Sequence, residues 1–258
     1  MRALVTGAGK RLGRAMALAL AEDGYDVAVH YAHSQDAATD TARLITAMGR
    51  QAVVLQADLL QDTQTSALLP RAAQALGGAI TCLVNNASIF EPDELATASR
   101  DSWDRHMQSN LRAPFLLLQA LAGQDWPQPG GEDSDPPCRA VAINMIDQRV
   151  RKLTPQFMSY TLAKSALWTL TQTAAQALAP QIRVNAIGPG PTLQGPRQSA
   201  QDFASQRAAT LLQGGAEVQD ITSALRYLVS APSVTGQLIC VDGGQHLCWQ
   251  TPDTQTPE

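Results

Sequence analysis

Short apolar runs alternate with longer helix-forming runs along almost the whole chain, and no other feature limits the fold as much. Strand-like runs fall at 3–6, 27–31, 52–56, 80–84, 140–145, 182–187 and 237–241. Helical patterns lie between and after them, at 12–23, 36–48, 63–76, 102–121, within 155–179 and at 217–229. Gly24, Gly49 and Gly77 stop three of these helices and Pro180 stops another. Pro114 lies inside the 102–121 run, where a missing N–H predicts a kink or an early break. Strands joined through helices form right-handed crossovers. They make a parallel sheet that needs helices on both faces. The expected fold class is therefore α/β, a single doubly wound domain around a seven-stranded parallel sheet.

That domain is expected over residues 1–248, with a frayed polar tail at 249–258 and no internal repeat. Residues 124–137, rich in Pro, Gly and acid, read as a surface insertion. Residues 189–215 open on a Gly-Pro-Gly-Pro run that begins at Gly188. A loop of that length in a compact domain is functional or mobile.

Composition removes several classes of function. A chain of 258 residues, 45% hydrophobic, can bury a sizeable core. Only 16% of residues are charged, which suggests that part of the surface is hidden in an oligomer. A net charge of −4 argues against a nucleic-acid coat or an anionic-membrane binder. Cys82, Cys138, Cys240 and Cys248 form no CxxC, and the four histidines form no HExxH. Neither a metal site nor a disulfide framework is legible. No apolar run reaches the length of a membrane span, and no signal peptide fits before the first strand. The expected location is the cytoplasm.

The first strand runs into Thr6-Gly-Ala-Gly-Lys-Arg-Leu-Gly13 before the first helix. Gly7 permits a sharp turn and Gly13 a close approach of helix to strand. The helix N-terminus offers N–H groups and a positive dipole to a pyrophosphate. The alternative is a glycine-bearing turn with no ligand. A site for NAD usually has an acid at the end of the second strand, bonding the ribose 2′-hydroxyl. Here that region reads His30-Tyr31-Ala32-His33-Ser34, with Arg11 close by in the glycine turn. A cation and hydroxyls without an acid suit a 2′-phosphate, so NADP is favoured. The competing reading makes His30 and His33 ordinary strand-end and loop residues.

Tyr160 and Lys164 stand four apart at the start of a helix, on one face. A nearby ammonium favours phenolate and is expected to lower the tyrosine pKa into a range useful for acid–base work. As an isolated pattern this is a surface pair. After the fifth strand of a nucleotide-binding sheet it lies where ligands bind.

Taken together, these features resemble the short-chain dehydrogenase/reductase family from Met1 to about Leu247. The resemblance rests on the glycine turn, Asp58, Asn85-Asn86-Ala87, Asn110, Tyr160 with Lys164, Val184-Asn185, Pro189-Gly190 and Asp242-Gly243-Gly244. It implies a Rossmann-type domain, usually tetrameric or dimeric, with subunit contacts through the helices at 102–121 and 160–179. It also implies a cofactor groove. Gly7, Lys10, Arg11, Leu12 and Gly13 would form its first turn, and His30, Tyr31, His33 and Ser34 the 2′ end. Asp58 and Leu59 would lie at the adenine, Asn86, Ala87 and Ser88 along the cofactor, and Pro189 and Gly190 beyond. Lys164 would hold the nicotinamide ribose, supported by Asn110 through water.

One departure narrows the substrate. The family usually has serine thirteen positions before the tyrosine, and here that position is Asp147. A serine hydroxyl donates to a carbonyl oxygen becoming an alkoxide. An ionised carboxylate only accepts and repels that charge. A substrate with N–H donors and a C=N bond fits an acceptor better. The same departure is found in pteridine reductases and bacterial dihydromonapterin reductases. The stretches TGAGKRLGR from Thr6, His30-Tyr31 with His33-Ser34, NNASIF from Asn85 and NMID from Asn144 resemble that subgroup.

The resemblance implies that Phe90 stacks on a pterin and sandwiches it against nicotinamide. Ser88 and Arg11 would reach the pterin or the cofactor phosphates, Asp147 would anchor Tyr160, and the 189–215 loop would close over the substrate. The expected activity is NADPH-dependent reduction of a dihydropterin-type substrate, with dihydromonapterin, dihydrobiopterin or dihydrofolate as candidates, by a homotetramer. The alternatives are a carbonyl or alcohol oxidoreductase of the same family, and a non-catalytic NADP-binding regulator.

Overall fold

The computed structural model describes residues 1–126 and 138–251. Seven strands form one parallel sheet: β1 (Arg2–Val5), β2 (Asp26–Tyr31), β3 (Ala52–Gln56), β4 (Cys82–Asn85), β5 (Ala140–Met145), β6 (Ile182–Pro189) and β7 (Leu238–Val241). Their spatial order is β3-β2-β1-β4-β5-β6-β7, all neighbours parallel. The chain winds outward from β1 to β3, then crosses back to β4 and winds the other way. The crevice between the carboxyl ends of β1 and β4 is the switch point at which such sheets bind ligands.

Successive side chains of a strand face opposite sides, so each strand feeds two cores. Ala3, Val5, Val27 and Val29 pack against Met16 and Leu20 of α1 (Arg11–Glu22), Ile45 of α2 (Gln35–Ala47) and Leu225 of α8 (Val218–Ser230). Leu4, Ala28 and Leu83 pack against Leu68 of α3 (Asp62–Ala75), Leu117 and Leu121 of α5 (Ala113–Ala122) and Ala174 of α6 (Met158–Leu178). Each leucine withdrawn from water contributes about 2 kcal/mol, which makes these two layers the rigid floor of the site.

One segment breaks as the sequence predicts, and another differs from the expectation. The single helix over 102–121 is broken: α4 (Arg100–Met107) passes through a π turn (Gln108–Arg112) into α5. Pro114 has no N–H for the Asn110 carbonyl four residues back, and Ala113 N–H reaches five back to Gln108. The 189–215 stretch is not wholly irregular, because it holds α7 (Ala200–Ala208). Ser199 and Asp202 close a capping box at its start. None of its residues is buried, so it carries no apolar stripe for a periodicity reading to find. Most of the expected insertion (127–137) and of the tail (252–258) lies outside the described residues. Gln124, at the insertion's start, donates to Ile80 O and accepts from Ile80 N. Among the described residues no helix is long and apolar enough to cross a membrane, and no cluster could hold a metal ion.

Candidate active site

The glycine turn is built around backbone, not side chains. Gly7 has φ +64°, and a Cβ on Gly13 would lie 2.2 Å from Gly7 O and 2.5 Å from Asn86 Nδ2. Only hydrogen fits there. Asn86 donates from Nδ2 to Thr6 O at 2.8 Å, and Thr6 Oγ1 accepts from the N–H groups of Asn86 and Ala87, both at 2.9 Å. The carboxyl ends of β1 and β4 are thereby tied together. Lys10 caps α1 without a side-chain hydrogen bond, so its first-turn N–H groups keep their outward donor capacity. Leu12 is half-buried beneath the turn.

His30 is placed differently from the expectation. Its ring is buried, Nδ1 accepts from Gly7 N–H at 3.0 Å, and Nε2 lies 3.0 Å from Ala57 O. The first contact makes Nδ1 an acceptor, so Nε2 carries the hydrogen and donates. Burial pushes its pKa down to about 4. Both nitrogens are spent on backbone, so His30 is a neutral strut behind the turn and not a phosphate ligand. Tyr31, His33 and Ser34 do lie beyond it at the carboxyl end of β2, with no carboxylate among them. Ser34 caps α2 without using its hydroxyl on the helix. Asp58 and Leu59 follow β3, where Asp58 Oδ1 accepts from Leu60 N–H at 3.0 Å.

Asp147 and Tyr160 meet. The strand β5 delivers Asp147, and the first turn of α6 delivers Tyr160. The phenol donates to Asp147 Oδ2 at 2.9 Å, while Oδ1 accepts from Arg149 N–H at 2.8 Å. Burial raises the Asp147 pKa, against the pull of the Arg149 backbone and guanidinium, the Tyr160 hydroxyl and Lys164. Lys164 donates to Met145 O at 2.7 Å and lies 5.7 Å from the Tyr160 ring centroid. Burial lowers its pKa to about 8. The expected depression of the tyrosine pKa is not found. Burial first, and then the adjacent carboxylate, hold the phenol well above its ordinary value. The ammonium stands over the ring and donates its hydrogen bond to the Met145 carbonyl, so it does not counter the carboxylate at the hydroxyl. Asn110 is buried in the π turn with its amide paired to Ile89, accepting from N–H at 2.9 Å and donating to O at 2.8 Å. Its side chain thus fixes the 88–90 segment.

The aromatic wall is a pair, not the lone ring expected. Phe90 and Phe157 are stacked with centroids 4.3 Å apart at 14°, and Tyr160 meets Phe90 edge-on at 4.6 Å. Phe157 covers one face of Phe90 and has a left-handed backbone, φ +56°. Arg197 lies over Phe90 at 5.6 Å and Arg149 over Phe157 at 5.2 Å. Arg197 also donates to Phe90 O at 2.7 Å. Arg11, another residue with positive φ, is expected at the pyrophosphate but donates to Gln194 O at 2.8 Å and Leu193 O at 3.0 Å. Two arginines therefore clamp the 189–199 loop, one to the glycine turn and one to Phe90. A cavity of about 600 Å³ opens between loop and sheet, lined by Ser88, Phe90, Asp147, Phe157, Pro189 and Gly190 among others.

A second network braces the site from below. His106 accepts at Nε2 from Glu91 N–H at 3.1 Å, so its Nδ1 donates to Ser159 Oγ at 2.7 Å. Ser159 donates in turn to Asp93, which also accepts from Ser102 Oγ at 2.6 Å. Burial would raise the Asp93 pKa, but these hydroxyl donors outweigh it and hold the pKa low. The chain joins α4, the segment carrying Phe90 and the residue preceding Tyr160. Isolated polar residues at 93, 102, 106 and 159 gave no sequence signal because only the fold brings them together.

Residues 7–246 match the family model described as enoyl-(acyl carrier protein) reductase. The chain belongs to the short-chain dehydrogenase/reductase family. It is 32% identical over 250 residues to the 3-oxoacyl-(acyl-carrier-protein) reductase FabG of Staphylococcus epidermidis, covering 95% of this chain and 98% of that one. The FolM alternative dihydrofolate reductase 1 of Brucella canis, complexed with NADP, is similar at 44% identity and a TM-score of 0.89, covering 98% of this chain and 96% of that one. A short-chain dehydrogenase of Burkholderia cenocepacia in complex with NADP has a TM-score of 0.85 at 30% identity, covering 95% and 97%. Within this family frame, Phe157, Arg149 and Arg197 are the site residues that sequence reasoning missed. Two lie beside Asp147 and Tyr160 in sequence, and Arg197 lies in the loop already singled out.

Proposed function

We propose that this short-chain oxidoreductase is an NADPH-dependent reductase of a dihydropterin-type heterocycle. The observation that carries this reading is the 2.9 Å hydrogen bond from Tyr160 to Asp147. An acceptor stands where a ketone reductase needs a donor.

The residues present fit the dinucleotide. The cradle at Gly7 and Gly13 has no room for a Cβ, the first turn of α1 is uncapped, and the end of β2 offers hydroxyls and an imidazole but no acid. Lys10 with Tyr31, His33 and Ser34 would hold the phosphates, and Asn86 and Ala87 would border the dinucleotide. Pro189 and Gly190 would border it on the other side, with Lys164 at the ribose. When bound, NADPH supplies the hydride.

The chain's own residues supply the proton and the orientation. Asp147 accepts N–H groups of the heterocycle and fixes the phenol. Tyr160 keeps its proton at neutral pH, so it acts as an acid only towards a strongly basic atom. A ring nitrogen gaining electron density beside the reduced carbon is such an atom. Phe90 and Ser88 line the same cavity; Phe157 stacks on Phe90 and Arg197 lies over its ring, so the heterocycle would take the place of one of them on Phe90. The clamped loop keeps water out.

The likeness to FabG favours a second reading, reduction of a carbonyl. Turnover of dihydromonapterin, dihydrobiopterin, dihydrofolate and a ketone panel, each with NADPH and NADH, separates the two. Loss of NADPH absorbance with a dihydropterin supports the proposal, and turnover of ketones alone refutes it. The exposed Trp103, Phe115 and Leu162 on α4, α5 and α6 support assembly into a homotetramer, which sedimentation velocity tests.

A further inference from the structure

The mouth of the cavity carries a charge opposite to that of the chain. The whole protein has net charge −4, yet the cavity lining includes Arg11, Arg149 and Arg197 against one carboxylate, Asp147, which is already held by Tyr160. Elsewhere the protein neutralises such groups: Arg50 closes on Asp26, Arg105 on Glu91 and Arg112 on Asp62. Among the described residues, no carboxylate pairs with any of the three arginines at the mouth.

Arg11 spends its donors on the loop backbone, but the other two are differently placed. Arg197 donates to Phe90 O. Arg149 donates to Thr154, and its Nε is buried with no partner. Each guanidinium lies against an aromatic ring, Arg197 on Phe90 and Arg149 on Phe157. A guanidinium held by its face presents its edge, and the edge is the part that grips a carboxylate or phosphate with paired hydrogen bonds. A buried donor left unpaired is unfavourable, and of the three arginines at the cavity Arg149 is the one that keeps such a donor.

We infer that Arg149 and Arg197 bind an anionic tail on the flat substrate, a carboxylate or a phosphate, and so select acidic dihydropterins over neutral hydroxylated ones. This rests on the dihydropterin reading and narrows it. The planar part would lie in the cavity beside Phe90 and Tyr160, and the two arginines would hold the charge that follows it.

The test compares kcat/KM of the NADPH-loaded enzyme for dihydrofolate, a phosphorylated dihydropterin and neutral dihydrobiopterin. In parallel, calorimetry measures binding of p-aminobenzoyl-glutamate, a carboxylated tail without the heterocycle. The wild type should favour at least one anionic substrate by roughly tenfold or more, the magnitude of one charge-assisted pair. The substrate that wins distinguishes carboxylate from phosphate. Arg149→Gln and Arg197→Gln should each cut that ratio about tenfold, Arg197→Lys should recover only part of it because an ammonium keeps the charge but loses the paired hydrogen bonds, and salt at about 0.5 M should shrink it. A ratio near one in the wild type, or a ratio that neither glutamine variant changes, overturns the inference while leaving the dihydropterin reading intact. If no dihydropterin is reduced but p-aminobenzoyl-glutamate binds in an arginine-dependent way, the anion site stands and the heterocycle reading falls. If it neither binds nor any dihydropterin turns over, both are wrong.

Discussion

Replacing Asp147 by asparagine removes a negative charge from beside Tyr160 and changes little else in shape. The phenol and carboxylate oxygens are 2.9 Å apart. At an effective dielectric near 20, a phenolate and a carboxylate at that separation repel by about 6 kcal/mol. Arg149 and Ser88 offset part of this. If only a third survives, about 2 kcal/mol, the phenol should ionise at a distinctly lower pH in the variant. Burial, the larger cause of the high pKa, remains, so the phenol should still ionise above its ordinary value. A spectrophotometric titration reads this directly, with Tyr160→Phe subtracting Tyr25, Tyr31 and Tyr227. Turnover of a dihydropterin should fall by about 10² in Asp147→Asn, the scale of a misdirected general acid. Asp147→Ser should gain ketone reduction, because a hydroxyl donates where the carboxylate could not. If Tyr160 titrates at the wild-type pH in Asp147→Asn, the carboxylate does not hold the proton and the acceptor argument fails.

Three further outcomes follow from the geometry. Gly13→Ala puts a methyl 2.2 Å from Gly7 O and should abolish NADPH binding, read by nucleotide fluorescence, while far-UV circular dichroism retains the α/β signature. His30 has a folded pKa of about 4 against 6.5, so the unfolded chain takes the proton first. Stability should therefore fall as pH drops from 6.5 towards 4, by about 3 kcal/mol at ~1.4 kcal/mol per pH unit. Urea midpoints across that range should fall less steeply in His30→Gln, and an equally steep fall would show that other groups govern acid lability. Ser159→Ala strands the His106 Nδ1 donor and one Asp93 contact, and should cost about 2 kcal/mol in unfolding experiments with several-fold lower kcat. An unchanged kcat would make that network purely structural.

How much of this was legible depends on where each determinant lies. The strands were readable because parallel strands covered on both faces must be apolar almost throughout, as Ala-Val-Ala-Ile at 140–143 shows. The break at Pro114 was readable because a missing N–H acts locally. The helix α7 was not, because a capping box and not a buried face fixes it. His30 was misassigned although the alternation of β2 contains the answer. Val27 and Val29 face one core and Ala28 the other, which places His30 with Ala28, pointing inward. The left-handed backbones of Arg11 and Phe157 had no sequence signal, since each is imposed by the segments around it. Those two residues set what Phe90 touches and what holds the loop. The packing of Phe157 on Phe90 and the bonds of Arg11 to the loop lay beyond a sequence reading because long-range geometry decides them.

Family membership alone does not choose a substrate here, because the chain is similar both to a 3-oxoacyl-(acyl-carrier-protein) reductase and to an alternative dihydrofolate reductase. What differs is the polarity of the hydrogen-bonding atom opposite Tyr160 and the wall beside it. A serine at 147 would leave a donor for an alkoxide, whereas aspartate leaves an acceptor for N–H groups and raises the cost of ionising the phenol. That cost is a handicap for reducing a ketone, where the proton must be released towards a modest base. It is tolerable for a ring nitrogen made strongly basic as the neighbouring carbon is reduced. The phenol held above its ordinary pKa, which contradicts the simple expectation drawn from Lys164, therefore argues for the heterocycle on the same grounds as the carboxylate that causes part of it.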